Sequence, residues 1–156
     1  MVHYEPFFYP LDSVRNWNRL YGKRGFFQYQ CVVPMDDGVD TINELLERAA
    51  HANQGSFLSV LKTFGDRRSE GLLSFPRRGM TLALDLPNKG RKTLDLMNHL
   101  DSVVGQAGGA VYPAKDARMS AESFQRYFPN WRDFASFVDP KFSSSFWRRV
   151  TGEAPA

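Results

Sequence analysis

Met80-Thr81-Leu82-Ala83-Leu84-Asp85-Leu86 places a leucine at every second position. Successive side chains of a strand point to opposite faces of a sheet. The stretch therefore reads as a strand with Leu82, Leu84 and Leu86 on one face and Thr81, Ala83 and Asp85 on the other. Pro87 ends it. Working outward, Phe26–Val33 is a second strand, in which aromatic and β-branched residues alternate with Gln28 and Gln30, and Pro34 closes it. Asp36 or Asp37 opens a helix through about Asn53, with Val39, Ile42, Leu45, Leu46 and Ala49 at helical spacing. Gly55 breaks the chain before a strand over Ser56–Phe64. Gly65–Glu70 is a charged loop, Leu72–Phe75 reads as a short strand, and Pro76–Gly79 is a turn. Downstream, Arg91–Ala107 forms a second amphipathic helix carrying Leu96, Met97, Leu100, Val103 and Val104, which Gly108 and Gly109 stop. Ala110–Tyr112 is a short last strand.

The order strand, helix, strand, strand, helix, strand is the split βαβ, ferredoxin-like arrangement. It predicts an α+β fold, with an antiparallel sheet of four or five strands and both helices on one face. The other sheet face is left for a ligand or a second domain. Before this unit, Phe7–Pro10 reads as extended, and Asp12 or Ser13 caps a short helix through Tyr21. After it, residues 114–156 form an aromatic-rich tail. Short helices are expected at Ala121–Phe128 and Trp131–Val138, followed by a segment with Phe146 and Trp147. Such a tail is expected to dock on the sheet or on a partner domain, and residues 1–156 read as one domain.

Composition narrows the function classes. The 156 residues suffice for one core, and 42% hydrophobic with 24% charged content is ordinary for a globular chain. No apolar run approaches the ~18–20 residues that span a bilayer, and MVHYEPFFYP lacks the charged and apolar regions of a signal peptide. A cytoplasmic location is expected, peripheral to a membrane if the substrate is lipid-linked. The single cysteine, Cys31, excludes an internal disulfide and reads as a packed strand residue. His3, His51 and His99 lack metal-ligand spacing, and no metal site is expected. The net charge of +3 is weak support for a polyanion partner, and no nucleic acid is expected. The clusters Lys23-Arg24, Arg67-Arg68, Arg77-Arg78 and Arg148-Arg149 each read as solvated surface.

The second strand of the chain's β-hairpin region does not reveal its orientation: Leu58, Val60 and Lys62 share one face, and Phe57, Ser59 and Leu61 the other. If Lys62 joins Gln28, Gln30 and Asp85, the helix-free face suits a sugar-like ligand, since amides and carboxylates hydrogen-bond hydroxyls. An ordinary half-solvated sheet fits the same residues. Phosphate-cradling glycine loops, the GxGxxG fingerprint and the nucleophile elbow are all absent. The densest polar cluster is Tyr112-Pro113-Ala114-Lys115-Asp116-Ala117-Arg118, just past the last strand.

Several separated stretches resemble one family. Tyr9-Pro10-Leu11-Asp12, Trp17-Asn18-Arg19 and Tyr21-Gly22 are similar to the start of the C-terminal domain of the decaprenylphosphoryl-ribose oxidases. Gly25 to Gln30 with Val32-Val33-Pro34 is similar to that family's first strand. Ser56-Phe57-Leu58 through Lys62, Phe64-Gly65, Leu73-Ser74-Phe75-Pro76, Gly79, Asp85 and Pro87 continue the resemblance. Tyr112 to Arg118, with Ala121-Glu122 and Phe124, completes it, so that it runs from Tyr9 to about Arg149.

The resemblance implies a flavoprotein of the vanillyl-alcohol oxidase type. In such enzymes an N-terminal domain binds FAD, and the C-terminal domain covers the flavin ring and forms the substrate pocket. Gln30, Lys62 and Lys115 match pocket-lining positions of the family, and Gln28, Val60, Asp85, Tyr112 and Arg19 match positions close by. This implies that Gln30, Val60, Lys62 and Asp85 share the helix-free face. Lys115 is implied to stabilise the reduced flavin as a catalytic and cofactor-binding residue. Lys62 and Gln30 are implied to orient sugar hydroxyls. Two positions depart from the family: Ala83 stands where a cysteine is frequent, and Thr81 where an asparagine is common. The pocket thus differs in shape and polarity. The FAD-binding domain has no counterpart in these residues, so the resemblance implies a partner domain, in the same full-length chain or a separate polypeptide. This chain alone is expected to be inactive. A different class of function, a free-standing ferredoxin-like module binding RNA or a small molecule, is compatible with the strand order. An RNA-binding sheet would, however, carry stacking aromatics that Met80–Asp85 lacks.

Overall fold

The computed structural model describes residues 2–10, 12–115, 118–139 and 141–152. Four strands, β1 (Phe26–Val33), β2 (Ser59–Phe64), β3 (Gly79–Pro87) and β4 (Ala110–Val111), form an antiparallel sheet in the order β2-β3-β1-β4. This is the split βαβ order. Two helices, α2 (Gly38–His51) and α3 (Arg91–Gln106), pack on each other and on the same side of β1 and β3. A short helix α1 (Tyr4–Phe8) precedes the sheet, and α4 (Ala121–Tyr127), α5 (Trp131–Ala135) and α6 (Ser145–Thr151) follow it.

The pleat explains which residues go inside. Tyr29 opposes Leu84, Cys31 opposes Leu82 and Phe27 opposes Leu86 across β1 and β3. These residues point at α2 and α3, where Ile42, Leu45, Leu96, Met97, Leu100, Val103 and Val104 meet them in one core. All five apolar positions expected on α3 are buried. On α2, Val39 and Leu46 are exposed, because the helix turns only its Ile42-Leu45-Ala49 stripe to the sheet. Burial pushes the Cys31 thiol up to about 12, aided by the charge of Asp101 and opposed by a backbone hydrogen bond from Leu82. Two glycines are dictated by space. A Cβ on Gly79 would lie 2.2 Å from the Val33 carbonyl oxygen, and one on Gly109 would lie 2.4 Å from that of Val32.

Several expectations are corrected. Residues 72–75 form no strand, because this stretch lies in the loop between β2 and β3 and has no ladder partner. β2 begins at Ser59 rather than at Ser56, whose hydroxyl instead accepts from the Asp85 backbone N–H at 2.8 Å. The segment expected to be extended contains α1, and the helix expected up to Tyr21 is a 3-10 turn over Trp17–Tyr21. Asn16 at the start of that turn is left-handed, which stops a longer helix.

The tail folds against α3. Phe124, Tyr127, Phe128, Trp147 and Val150 are buried in the same core as the sheet residues. Arg118 pairs with Asp101 of α3 at 2.9 Å and also donates to Asn98. Its two ends are tied together as well, by Gln125 donating to the Val150 carbonyl and Arg149 to that of Met119. Docking on the α3 side leaves the opposite sheet face uncovered by the tail.

Two outcomes follow from this core. Leu100→Ala, at a fully buried position, should lower stability by about 2–5 kcal/mol in urea denaturation. Cys31 should resist a disulfide-exchange thiol reagent in native buffer at mildly alkaline pH and react fully once guanidinium is added.

Candidate functional site

The helix-free face carries what the core does not. Register places Gln28 opposite Asp85, Ala83 between Gln30 on one side and Val60 on the other, and Lys62 opposite Thr81. Opposed residues of antiparallel strands share a face. Gln28, Gln30, Val60, Lys62, Thr81, Ala83 and Asp85 therefore share the face away from the helices, which resolves the orientation that the alternation of β2 left open. Together with Leu58 and Lys115 they line a cavity of about 230 Å³.

The polar side chains on this floor are paired in a particular way. Gln30 donates to the Thr81 hydroxyl at 3.3 Å, and Thr81 is buried. Lys115, in a 3-10 turn just after β4, donates to the side-chain amide oxygen (Oε1) of Gln28 at 2.8 Å. Its ammonium is thus held by a neutral amide, with no carboxylate in contact among the described residues. Lys62 is exposed, with its Nζ 5.6 Å from the Phe64 ring centre, and it makes no ion pair among the described residues. Neither cation is cancelled by a salt bridge among the described residues. Asp85 is only 5% exposed and accepts from the Tyr21 hydroxyl at 3.0 Å. Burial, then this hydrogen bond and the carboxylate charge, push the Tyr21 phenol from 10.0 up to about 12. Tyr21 therefore stays protonated, and able to donate, well above neutral pH.

Two aromatic clusters bound the floor. At one end Tyr21 stacks on Phe26 at 4.1 Å, with Trp17 and Phe57 set edge-on around them. At the other, Phe75 from the β2–β3 loop stacks on Tyr112 at 4.6 Å and meets Phe64 edge-on. Beyond the first cluster lies a groove of about 570 Å³ lined by Val14, Trp17, Leu20, Phe57 and Leu58, and it shares Gln28, Leu58 and Asp85 with the polar cavity. Trp17 is 48% and Phe57 62% exposed. With Val14 and Leu20, also exposed, they form an apolar rim beside the polar cavity.

The structure brings together Gln28, Gln30, Val60, Lys62, Asp85 and Lys115 of the residues singled out from the sequence. Arg19 is exposed in its 3-10 turn and is not among the lining residues. Tyr112 forms part of the end wall rather than the floor. Leu11, Asp116 and Ala117, which also carried the resemblance, lie outside the described residues. Sequence reasoning missed Tyr21 as the partner of Asp85, since no periodicity links a turn residue to a strand 64 positions away. It also missed Phe75, which it placed in a strand.

Comparison with known proteins bears out the resemblance. The chain is 37% identical over 149 residues to the decaprenylphosphoryl-beta-D-ribose oxidase of Mycolicibacterium smegmatis, a match covering 92% of this chain and 32% of that protein. It is 34% identical over 131 residues to an uncharacterized protein in the mprA 5' region of Streptomyces coelicolor, covering 81% of this chain and 35% of that relative. The chain thus spans about a third of the length of the relatives it matches. No family model matches it.

Tyr21→Phe should leave the buried Asp85 carboxylate without its side-chain donor and cost about 1–3 kcal/mol in chemical denaturation. In the unsubstituted protein the raised phenol pKa gives a pH signature. Its stabilisation is fully present below 10.0 and is lost as pH rises through about 12. Titration of phenolate absorbance should lose one high-pH tyrosine in Tyr21→Phe, while Tyr29 and Tyr127, whose phenols burial also pushes up, remain.

Proposed function

We propose that this chain is the substrate-binding domain of an FAD-dependent oxidoreductase that oxidises a CH–OH group of a sugar or polyol. In this reading the helix-free face covers the flavin ring, and FAD is bound mainly by a domain supplied elsewhere. The observation that carries the proposal is the cavity floor: two lysines without carboxylate partners among the described residues, beside two glutamines, a threonine and an aspartate. Such a set matches a polyhydroxylated ligand next to a group that becomes anionic on reduction. The 37% identity to an oxidase whose name specifies a ribose-containing substrate supports the same reading. The central strands offer amides, small residues and a carboxylate to this face, where an RNA-binding sheet presents stacking aromatics.

The residues divide the work by position. Lys115, fixed by Gln28 at the end of the floor, would hold the pyrimidine edge of the flavin and offset its negative charge. FAD, when bound, would supply the two-electron acceptor for the hydride of the carbinol carbon. Lys62 and Gln30 would hold sugar hydroxyls and orient the reacting carbon. Gln28, Val60, Asp85, Tyr112 and Arg19 would complete the substrate surroundings, with Tyr112 acting as a wall. Ala83, a small residue at the centre of the floor, leaves room above it, and Thr81 is already engaged with Gln30. The apolar rim of Val14, Trp17, Leu20 and Phe57 would meet the FAD-binding domain, which belongs to the same full-length chain or to a separate polypeptide. A cytoplasmic location, at a membrane surface if the substrate is lipid-linked, suits this role, and no helix among the described residues is long and apolar enough to cross a membrane.

Stopped-flow measurement of flavin reduction, in the enzyme assembled with its FAD-binding part, tests the assignment. Lys115→Ala should slow reduction at saturating substrate by on the order of a hundredfold, or about 2–4 kcal/mol, because its charge matters most when the ring is anionic. Lys62→Ala should weaken substrate binding as well as turnover. Reduction by Lys115→Ala at the unsubstituted rate would refute its role. The 156-residue chain by itself should purify without tightly bound flavin and oxidise no sugar, and a yellow preparation with near-equimolar flavin would overturn that division of domains.

A further inference from the structure

Arg67-Arg68 and Arg77-Arg78 each look like solvated surface in the sequence, but the fold brings both pairs into one groove. It has a volume of about 800 Å³ and lies between the β2–β3 loop and Tyr127–Asn130, where α4 ends. Its lining includes one carboxylate, Asp66, which is engaged with Arg78 at 2.9 Å. Four arginines less one aspartate leave an excess of three positive charges, as large as the net +3 of the entire chain. The groove shares no lining residue with the cavity on the helix-free face.

Arg77 differs from an ordinary surface arginine. It is half-buried, and its side chain donates to the carbonyls of Phe75 at 3.3 Å and Tyr127 at 3.2 Å. Its guanidinium sits 5.7 Å from the centre of the Phe128 ring. Among the described residues it has no carboxylate partner, and burial lowers its pKa from the usual value. A partly desolvated cation without a counter-ion is costly unless an anion completes it. The two carbonyls and the ring hold it in place beforehand, so little side-chain freedom is lost when an anion arrives. Ser69 and Ser74, whose hydroxyls are paired at 2.6 Å, also line the groove and add hydroxyl donors.

We propose that this groove is a second ligand site, separate from the helix-free face, which binds the phosphate or diphosphate group of a small molecule. Arg77 is its fixed fork, and Arg67 and Arg68 are its outer contacts. A monocarboxylate would neutralise one charge and use one fork. A phosphate or diphosphate presents several oxygens and more than one charge, matching several guanidinium groups together.

Calorimetric titration of the 156-residue chain tests this, using inorganic pyrophosphate, inorganic phosphate and acetate as probes. Pyrophosphate should bind saturably and more tightly than phosphate, and acetate should not bind. Arg77→Lys keeps the charge but loses the fork, and should weaken pyrophosphate at least roughly tenfold. The exposed pair Arg67→Ala/Arg68→Ala should weaken it too and flatten its salt dependence; circular dichroism checks that each variant stays folded. Sedimentation with phosphatidic acid vesicles, against phosphatidylcholine vesicles, separates the two sources of a phosphate group. Vesicle binding with the same sensitivity to these variants, but none to soluble pyrophosphate, assigns the site to a lipid headgroup. The proposal is overturned if neither probe binds, or if both variants bind like the parent. It is equally overturned if Lys62→Ala or Lys115→Ala abolishes binding in their place, or if an RNA oligonucleotide binds far more tightly than pyrophosphate through the same arginines.

Discussion

The antiparallel pairing of β1 with β3 is the constraint on which the rest depends. Because side chains alternate with a period of two, one register decides both faces of the sheet. With Tyr29 opposite Leu84 and Cys31 opposite Leu82, the apolar set faces α2 and α3. The same register puts Gln28 beside Asp85 and Gln30 beside Ala83 on the opposite face. A slip of β1 by one residue would bury its two glutamines under the helices and turn Tyr29 and Cys31 to the outside, while β3 kept its leucines inward. The cost of burying those polar groups unpaired makes the register, and therefore the composition of the cavity floor, a consequence of core formation.

The tail and the β2–β3 loop determine what remains accessible. The aromatic tail is buried through Phe124, Phe128 and Trp147 in the common core beside the sheet and its helices. The Arg118–Asp101 pair fixes the crossing. Had the same aromatics settled on the helix-free face, no cavity would exist there. The β2–β3 loop contributes to both sides of its own path: Phe75 closes one end of the floor against Tyr112, while Arg77 turns toward Phe128 and the arginine groove. One loop thus separates two polar surfaces of different charge character.

On the floor itself, the neutral and charged groups are matched asymmetrically. The buried carboxylate, Asp85, is satisfied by a phenol that remains protonated at neutral pH. The lysines are held by an amide or left in solvent. Neither cation is cancelled by an internal salt bridge among the described residues, so their field is directed at whatever occupies the cavity. A donor for the anion, and no carboxylate for either cation among the described residues, leave positive charge on this floor.

Much of this was legible without coordinates. The Met80–Leu86 alternation, the glutamines spaced by two in Phe26–Val33 and the helical stripe of Arg91–Ala107 specify strands, faces and a split βαβ order, because local periodicity is imposed by burying one side of each element. The residues themselves also carried the resemblance to an oxidase family. Other features needed tertiary structure. The alternation of β2 allows either face, since this edge strand buries little, and only its pairing with β3 chooses. The Tyr21–Asp85 hydrogen bond, the Phe75–Tyr112 wall and the convergence of two arginine pairs all join residues far apart in the chain. No sequence periodicity encodes such contacts, because they depend on where loops and the tail come to rest after the sheet and its helices have packed.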